Sequence, residues 1–155
     1  MQSFSQPLDI LSFTLGGEGY GIEISTVQEL RGYGAITGLA NTPSYLKGVI
    51  NLRGLVVPVI DMRIKFKLGL PVYNGFTKVI ILNLGKRLLG IVVDSVLEVM
   101  TFAPGQLKPT ASSGMAFDSV FLIGMGKLSD RMLPLIDIGK LLADFDLRVP
   151  LRISN

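Results

Sequence analysis

The chain has 155 residues, a formal net charge of +3, and neither histidine nor cysteine. Those two absences remove the common zinc ligands, the usual general base near neutral pH, thiol nucleophiles, disulfides and any Ser-His-Asp triad. Apolar residues make up 48% of the chain and charged residues only 17%, below the ~25% charged share of ordinary domains, so part of the surface is uncharged and suited to contacts.

The first residues, Met1–Pro7, show neither a basic stretch nor an apolar one, so no signal peptide is expected and the default is a soluble cytoplasmic protein. Leu11–Leu15 alternates apolar and polar side chains, Gly16–Gly19 turns the chain, and Tyr20, Ile22 and Ile24 resume the alternation. This is a hairpin signal. Ser25–Gln28 fits the S-x-x-E/Q start of a short helix. Leu55–Ile60 reads as a strand but contains Pro58, which predicts a sheet edge or a bulge because proline has no amide donor. Asp61 precedes an apolar stretch and is the expected cap of a helical turn. Leu70–Gly75 is a turn-rich connector.

The remaining elements repeat the first ones. Gly16, Gly21, Ile22, Val27 and Glu29 recur 69 residues later as Gly85, Gly90, Ile91, Val96 and Glu98. Gly48, Leu52, Pro58, Ile60 and Asp61 recur 76 residues later as Gly124, Leu128, Pro134, Ile136 and Asp137. The seven extra residues of the second copy fall around the polar loop Pro109–Gly114. The second hairpin, Val79–Leu84 and Leu88–Val93, has consecutive apolar residues, the mark of strands covered on both faces, so the shared core is placed there. Ser95–Glu98 again carries the helix-start signal, although Val96–Met100 fits a strand as well. Asp94 reads as a cap, Pro134 as a second edge marker, and Asp137 with Leu141, Leu142 and Phe145 as the clearest helix.

A unit of ~70 residues buries too little surface to be stable alone, so the two copies are expected to form one body. Many short strands with little helix suggest a pair of small β-barrels, and strands need not stay within their own copy. No nucleophile, base and oxyanion site assemble. Gly124–Leu128 lacks the Ser or Thr and the glycine spacing of a phosphate loop. No block of like charges supports a nucleic-acid tail, and no apolar run approaches the ~20 residues of a spanning helix. One difference between the copies is chemical: Asn51-Leu52-Arg53-Gly54 faces Lys127-Leu128-Ser129-Asp130. Only the first copy thus combines a glutamate, Glu29, with an arginine, Arg53, at this offset. If the two meet as a buried pair, they would fix the short helix against the strand, and losing one would cost ~3–5 kcal/mol. The alternative is that both are solvated and unrelated.

Phe13-Thr14-Leu15-Gly16, Tyr20-Gly21-Ile22, Val27–Tyr33, Asn41-Thr42-Pro43, Lys47–Gly54, Pro58–Arg63, Asn83-Leu84-Gly85, Gly90–Asp94 and Asp130–Leu133 together resemble the CheW family of bacterial chemotaxis coupling proteins. The likeness spans about Leu11 to Leu142. It implies an all-β fold with short helices: two SH3-like five-stranded β-barrel subdomains, related by internal pseudo-symmetry and sharing a hydrophobic core. The domain would cover residues 9–146, repeat one about 9–75 and repeat two about 76–146, followed by a tail over 147–155. The resemblance further implies a non-catalytic adaptor, without cofactor or metal, that couples methyl-accepting chemoreceptors to the CheA histidine kinase. It places that adaptor in the cytoplasm at membrane-associated arrays, with ring self-association among copies as a further contact and no direct membrane insertion. A receptor-binding groove would be lined by Val27, Glu29, Arg53, Gly90 and Val96, with Asn51, Leu52, Arg53 and Gly54 as the coupling motif. An edge of one barrel would hold the kinase's regulatory domain. The same adaptor role in another chemosensory system, such as surface motility, stays open. So does the remoter reading of a small barrel that binds nucleic acid.

Overall fold

The computed structural model describes residues 5–85, 87–109 and 121–143. The expected role of the Ser112–Asp118 loop, the continuation of the last helix to Phe145, and the tail lie outside the described residues.

The predicted hairpins are present. Strands β1 (Leu8–Leu15) and β2 (Glu18–Glu23) pair through a two-residue turn, with Leu15 opposite Glu18. Later in the chain β6 (Lys78–Leu84) and β7 (Arg87–Val93) pair in the same way. Between them run β3 (Val27–Gly32), β4 (Leu46–Leu52), β5 (Leu55–Asp61) and the short helix α1 (Met62–Lys65). After them come β8 (Ser95–Phe102), the two-residue β9 (Leu107–Lys108), β10 (Leu122–Lys127), β11 (Met132–Ile136) and helix α2 (Ile138–Ala143).

Each sheet draws strands from both repeats. One sheet has the order β8-β1-β2-β11-β10-β9 and the other β3-β6-β7-β5-β4, so the two early hairpins have exchanged places. Both sheets close on themselves. In the first, the Phe102 ring of β8 lies 2.7 Å from where a side chain on Gly126 of β10 would begin, although these strands stand far apart in sheet order. In the second, Thr37, just beyond β3, exchanges two 2.8 Å backbone hydrogen bonds with Val49 of β4, which joins the two edges. The result is two SH3-like β subdomains, one of five strands and one carrying β9 as a sixth.

Three apolar clusters follow from this closure. Ile50, Leu52, Val57, Val59, Val79, Ile81 and Val92 fill the five-stranded barrel. Ile10, Phe102, Leu107, Leu133 and Leu135 fill the other. The largest cluster lies between them, with Phe13, Leu15, Ile22 and Ile136 from one sheet and Ile60, Ile80, Leu82, Leu89, Ile91 and Val93 from the other. Strands β6 and β7 are thus covered on both faces, which is why their sequence does not alternate.

The structure decides four local expectations, choosing strand over helix start at Ser95–Glu98. The segment after β2 makes only a 3-10 turn, Ile24–Thr26, and becomes strand β3 at Val27. Ser95–Glu98 is strand throughout. In both places the free edge of a neighbouring hairpin supplies ladder partners, with Val27 opposite Leu82 and Val96 opposite Phe13, and pairing outweighs a weak helix-start signal. Asp94 accordingly caps no helix; it occupies the corner between β7 and β8. Pro58 and Pro134 lie on interior strands, not edges, and a register shift adjoins each, in line with the bulge alternative. Val49 opposite Pro58 gives both its backbone groups to Thr37, and the parallel ladder to β7 begins only at Val59 with Gly90. Pro134 likewise precedes the single parallel bridge of Leu135 with Gly21. Each proline sits one residue outside the place where two exchanged hairpins join, where an amide donor has no acceptor to meet.

Candidate functional site

Asn51-Leu52-Arg53-Gly54 forms the tip of the β4–β5 hairpin. Leu52 pairs with Leu55, and the two loop residues have φ of +50° at Arg53 and +91° at Gly54. Two positive φ values are what a tight hairpin of matching twist requires. Gly54 adopts its value freely, whereas a non-glycine residue there is uncommon. Asn51 accepts a 2.8 Å hydrogen bond from the Gly54 amide through Oδ1, and Leu52 is buried in the barrel core. The motif therefore anchors a turn at its base and holds the Arg53 side chain out in solvent.

Arg53 and Glu29 meet. Arg53 Nη2 donates to Glu29 Oε1 at 2.9 Å. Glu29 stands on an edge strand, not on a helix, and its partner reaches it across the seam where the barrel closes. The pair is not buried: the Arg53 side chain is 65% exposed and that of Glu29 25%. The heavy penalty expected for splitting a buried pair does not apply, because solvent screens an exposed pair and leaves it little net worth.

The other oxygen of Glu29 is taken as well. Arg31, two residues along the same strand face, donates to Oε2 through Nε. The carboxyl pKa is held below its ordinary value of 4.5, first by the Arg31 hydrogen bond and then by that of Arg53. Sequence reasoning missed Arg31, although a signal was present: its counterpart 69 residues later is Met100, which packs against the core of its own barrel.

Val27 and Val96 occupy equivalent positions on β3 and β8, and both pack, half-buried, against the shared core. Gly90 stands apart from them. It is buried inside the five-stranded barrel, where an added Cβ would lie 2.9 Å from Val79 Cγ1 and 3.1 Å from Val59 Cγ2. Its counterpart Gly21 is equally crowded, with Ile10 Cγ2 at 2.4 Å. Both glycines mark a parallel junction and admit the neighbouring side chains there.

A second charged cluster also escaped the sequence. Asp61 caps α1 by accepting from the Arg63 amide at 2.9 Å, as expected, and Asp137 caps α2 through Lys140 N. Asp61, however, is fully buried and also binds Arg63 Nη2 at 2.9 Å and the Tyr73 hydroxyl at 2.6 Å. Arg63 is itself buried and reaches Asp94 Oδ1 and the Val72 carbonyl, while Asp94 Oδ2 accepts from Gly17 N. Burial disfavours the guanidinium charge, but Asp61 and then Asp94 outweigh it and raise the Arg63 pKa. Burial and the Asp61 bond push the Tyr73 phenol up as well. These groups tie α1, the connector and the β7–β8 corner to the β1–β2 turn. Among the described residues no buried side-chain polar atom lacks a partner, and the cluster serves as a lock between barrels. Among the described residues no three potential ligands gather to hold a metal, and no helix is long and apolar enough to cross a membrane.

The exposed apolar side chains concentrate on edges and tips: Leu30 on β3, Leu97 and Val99 on β8, Leu55 and Val56 beside Arg53, and Leu70, Val72 and Phe76 on the connector. Comparison with known proteins places the whole chain. The family model for the CheW-like domain matches residues 9–146. The chemotaxis protein CheW of Klebsiella aerogenes is 48% identical over 135 residues, covering 87% of this chain and 81% of that protein. CheW of Rhizobium meliloti is 29% identical, with 84% of each covered. The crystal structure of the scaffolding protein TtCheW from Thermoanaerobacter tengcongensis superposes with a TM-score of 0.75 at 31% identity, covering 88% of both chains.

Proposed function

The chain belongs to the CheW-like family, and on that premise we propose that it is a non-catalytic chemotaxis adaptor that couples chemoreceptors to the CheA histidine kinase. The observation that carries the reading is the Glu29–Arg53 pair across the closing seam of one barrel. It joins two residues 24 apart in sequence, at a turn whose next residues, Leu55 and Val56, are exposed. A charged pair of fixed geometry next to apolar side chains suits the helical hairpin of a receptor tip, whose apolar stripe would lie along the edge while a polar residue meets Arg53. The half-buried Val27 extends that surface toward the shared core. The exposed Leu97 and Val99 on the equivalent edge of the other barrel offer a separate surface for the kinase's regulatory domain, and the two together would place the protein at receptor arrays.

Such an adaptor acts by differential contact. It biases the kinase only if its two surfaces fit one kinase state better than the other. Titration of the purified protein with a receptor-tip fragment and with the kinase regulatory domain, at low and moderate salt, tests the assignment. Binding of both that persists in moderate salt is the expected result. Binding confined to oligonucleotides and lost steeply with salt would mark a phosphate-driven binder instead.

A further inference from the structure

We infer that Arg31 is a positioning residue of this docking surface: it holds one oxygen of Glu29 so that the other is presented to Arg53. The inference rests on the coupling role proposed for Glu29 and Arg53 and extends it to a third side chain.

The geometry divides the carboxylate between two guanidinium groups, Arg31 on Oε2 and Arg53 on Oε1. The two arginines are not equivalent. Arg31 lies inside the β3–β6 ladder opposite Val79, and its side chain is 32% exposed against 65% for Arg53. The less exposed partner loses less to solvent screening, and its backbone is fixed by pairing. Arg53 rides on a two-residue turn at the hairpin tip. A lone exposed ion pair holds its geometry poorly, whereas several charges in a chain reinforce one another. Arg31 therefore supplies the fixed end and Arg53 the presented end.

The internal repeat supports this division. The second copy keeps the glutamate, as Glu98, but replaces Arg31 by Met100 and Arg53 by Ser129. Met100 pairs with Ile10 in the same register that places Arg31 opposite Val79. The backbone thus accepts an apolar residue at this position, and the charge of Arg31 serves something other than the fold. The depressed Glu29 pKa, to which the Arg31 hydrogen bond contributes most, agrees with the assignment.

The test combines two readouts on Arg31→Ala, Arg31→Lys, Arg53→Ala and the Arg31→Ala/Arg53→Ala double variant. Carboxyl NMR titration of Glu29 in the free protein reports the anchoring directly. Receptor-dependent kinase activation in a reconstituted array reports the coupling. Arg31→Ala should raise the Glu29 pKa toward its ordinary value and reduce activation several-fold, and Arg31→Lys should restore part of both. In the double variant the Arg31 change should add little to the loss caused by Arg53→Ala, as expected for groups that act as one unit. An unmoved Glu29 titration in Arg31→Ala, or losses that add in full, would overturn the inference. A raised Glu29 pKa with activation unchanged in every variant would remove the coupling role and leave Arg31 as the anchor of Glu29 alone.

Discussion

At strand β3 the barrel edge carries Glu29 and Arg31, with Arg53 reaching across from the β4–β5 turn; at the equivalent strand β8 the same positions hold Glu98, Met100 and, on the β10–β11 turn, Ser129. The contrast extends to the helix caps. Asp61 is locked to Arg63, whereas Asp137 is followed two residues later by Gly139. Three arginines of the first copy thus have a methionine, a serine and a glycine as counterparts. What the copies share builds the fold: the hairpins, the glycines at the parallel junctions, the prolines beside them and the capping aspartates. What they do not share divides the labour. One pair of arginines lines the edge proposed for docking, and the third fastens the two barrels together.

The largest effect should come from the fastening. Arg63→Met leaves Asp61 and Asp94 without their common cation, and losing one partner of a buried ionic cluster costs ~3–5 kcal/mol; denaturant unfolding should show an unfolding free energy lowered by that amount and a correspondingly lower midpoint. Next come the junction glycines. Gly21→Ala and Gly90→Ala each force a methyl into a packed core whose nearest neighbours are the stiff, β-branched Ile10 and Val79. A destabilisation of ~1–3 kcal/mol is expected for both, and similar values would confirm that the two junctions are equivalent. Asp137→Ala removes a cap and nothing more, so its cost should be ~1 kcal/mol, well below that of Arg63→Met.

The smallest effect is a pH signature of the docking edge. A carboxyl whose folded pKa lies below its unfolded value contributes stability that is present above the unfolded pKa and lost as pH falls through the folded one. Glu29 is such a group, with an ordinary value of 4.5. The difference in thermal stability between the protein and Glu29→Gln should therefore be constant from neutral pH down to about 4.5 and close below it.

Much of the architecture was legible because it rests on local chemistry. Alternation and turn glycines placed the hairpins, the lost alternation at Ile80–Leu82 and Ile91–Val93 located the shared core, and Asp61 and Asp137 were recognised as caps. The helix signal at Ser25–Gln28 gave only a 3-10 turn, and at Ser95–Glu98 the strand alternative prevailed, because a four-residue start signal is weaker than a free strand edge supplied by a distant hairpin. The prolines marked edge or bulge, and of the two only the edge was wrong: the strands around them are interior, but a register shift adjoins each proline and the parallel ladder beside it has not yet begun. At the site, comparing the repeats singled out Arg53 but passed over Arg31 and Arg63. Arg31 lies two residues from Glu29, just beyond a segment whose start signal reads as a short helix, and only strand periodicity puts both on one face. The burial of Arg63 depends on Asp94 and Tyr73, which lie 31 and 10 residues away in the sequence and come together only when the barrels dock.

The central claim is that the first copy's charged edge, and not its counterpart in the second copy, couples receptor to kinase. It is tested most directly by measuring receptor-dependent kinase activation with Arg53→Ala beside Ser129→Ala. Loss of a charge-assisted hydrogen bond corresponds to about a tenfold fall in activation for Arg53→Ala, with the fold intact and Ser129→Ala unchanged. Full activation by Arg53→Ala, or an equal loss in Ser129→Ala, would contradict the account.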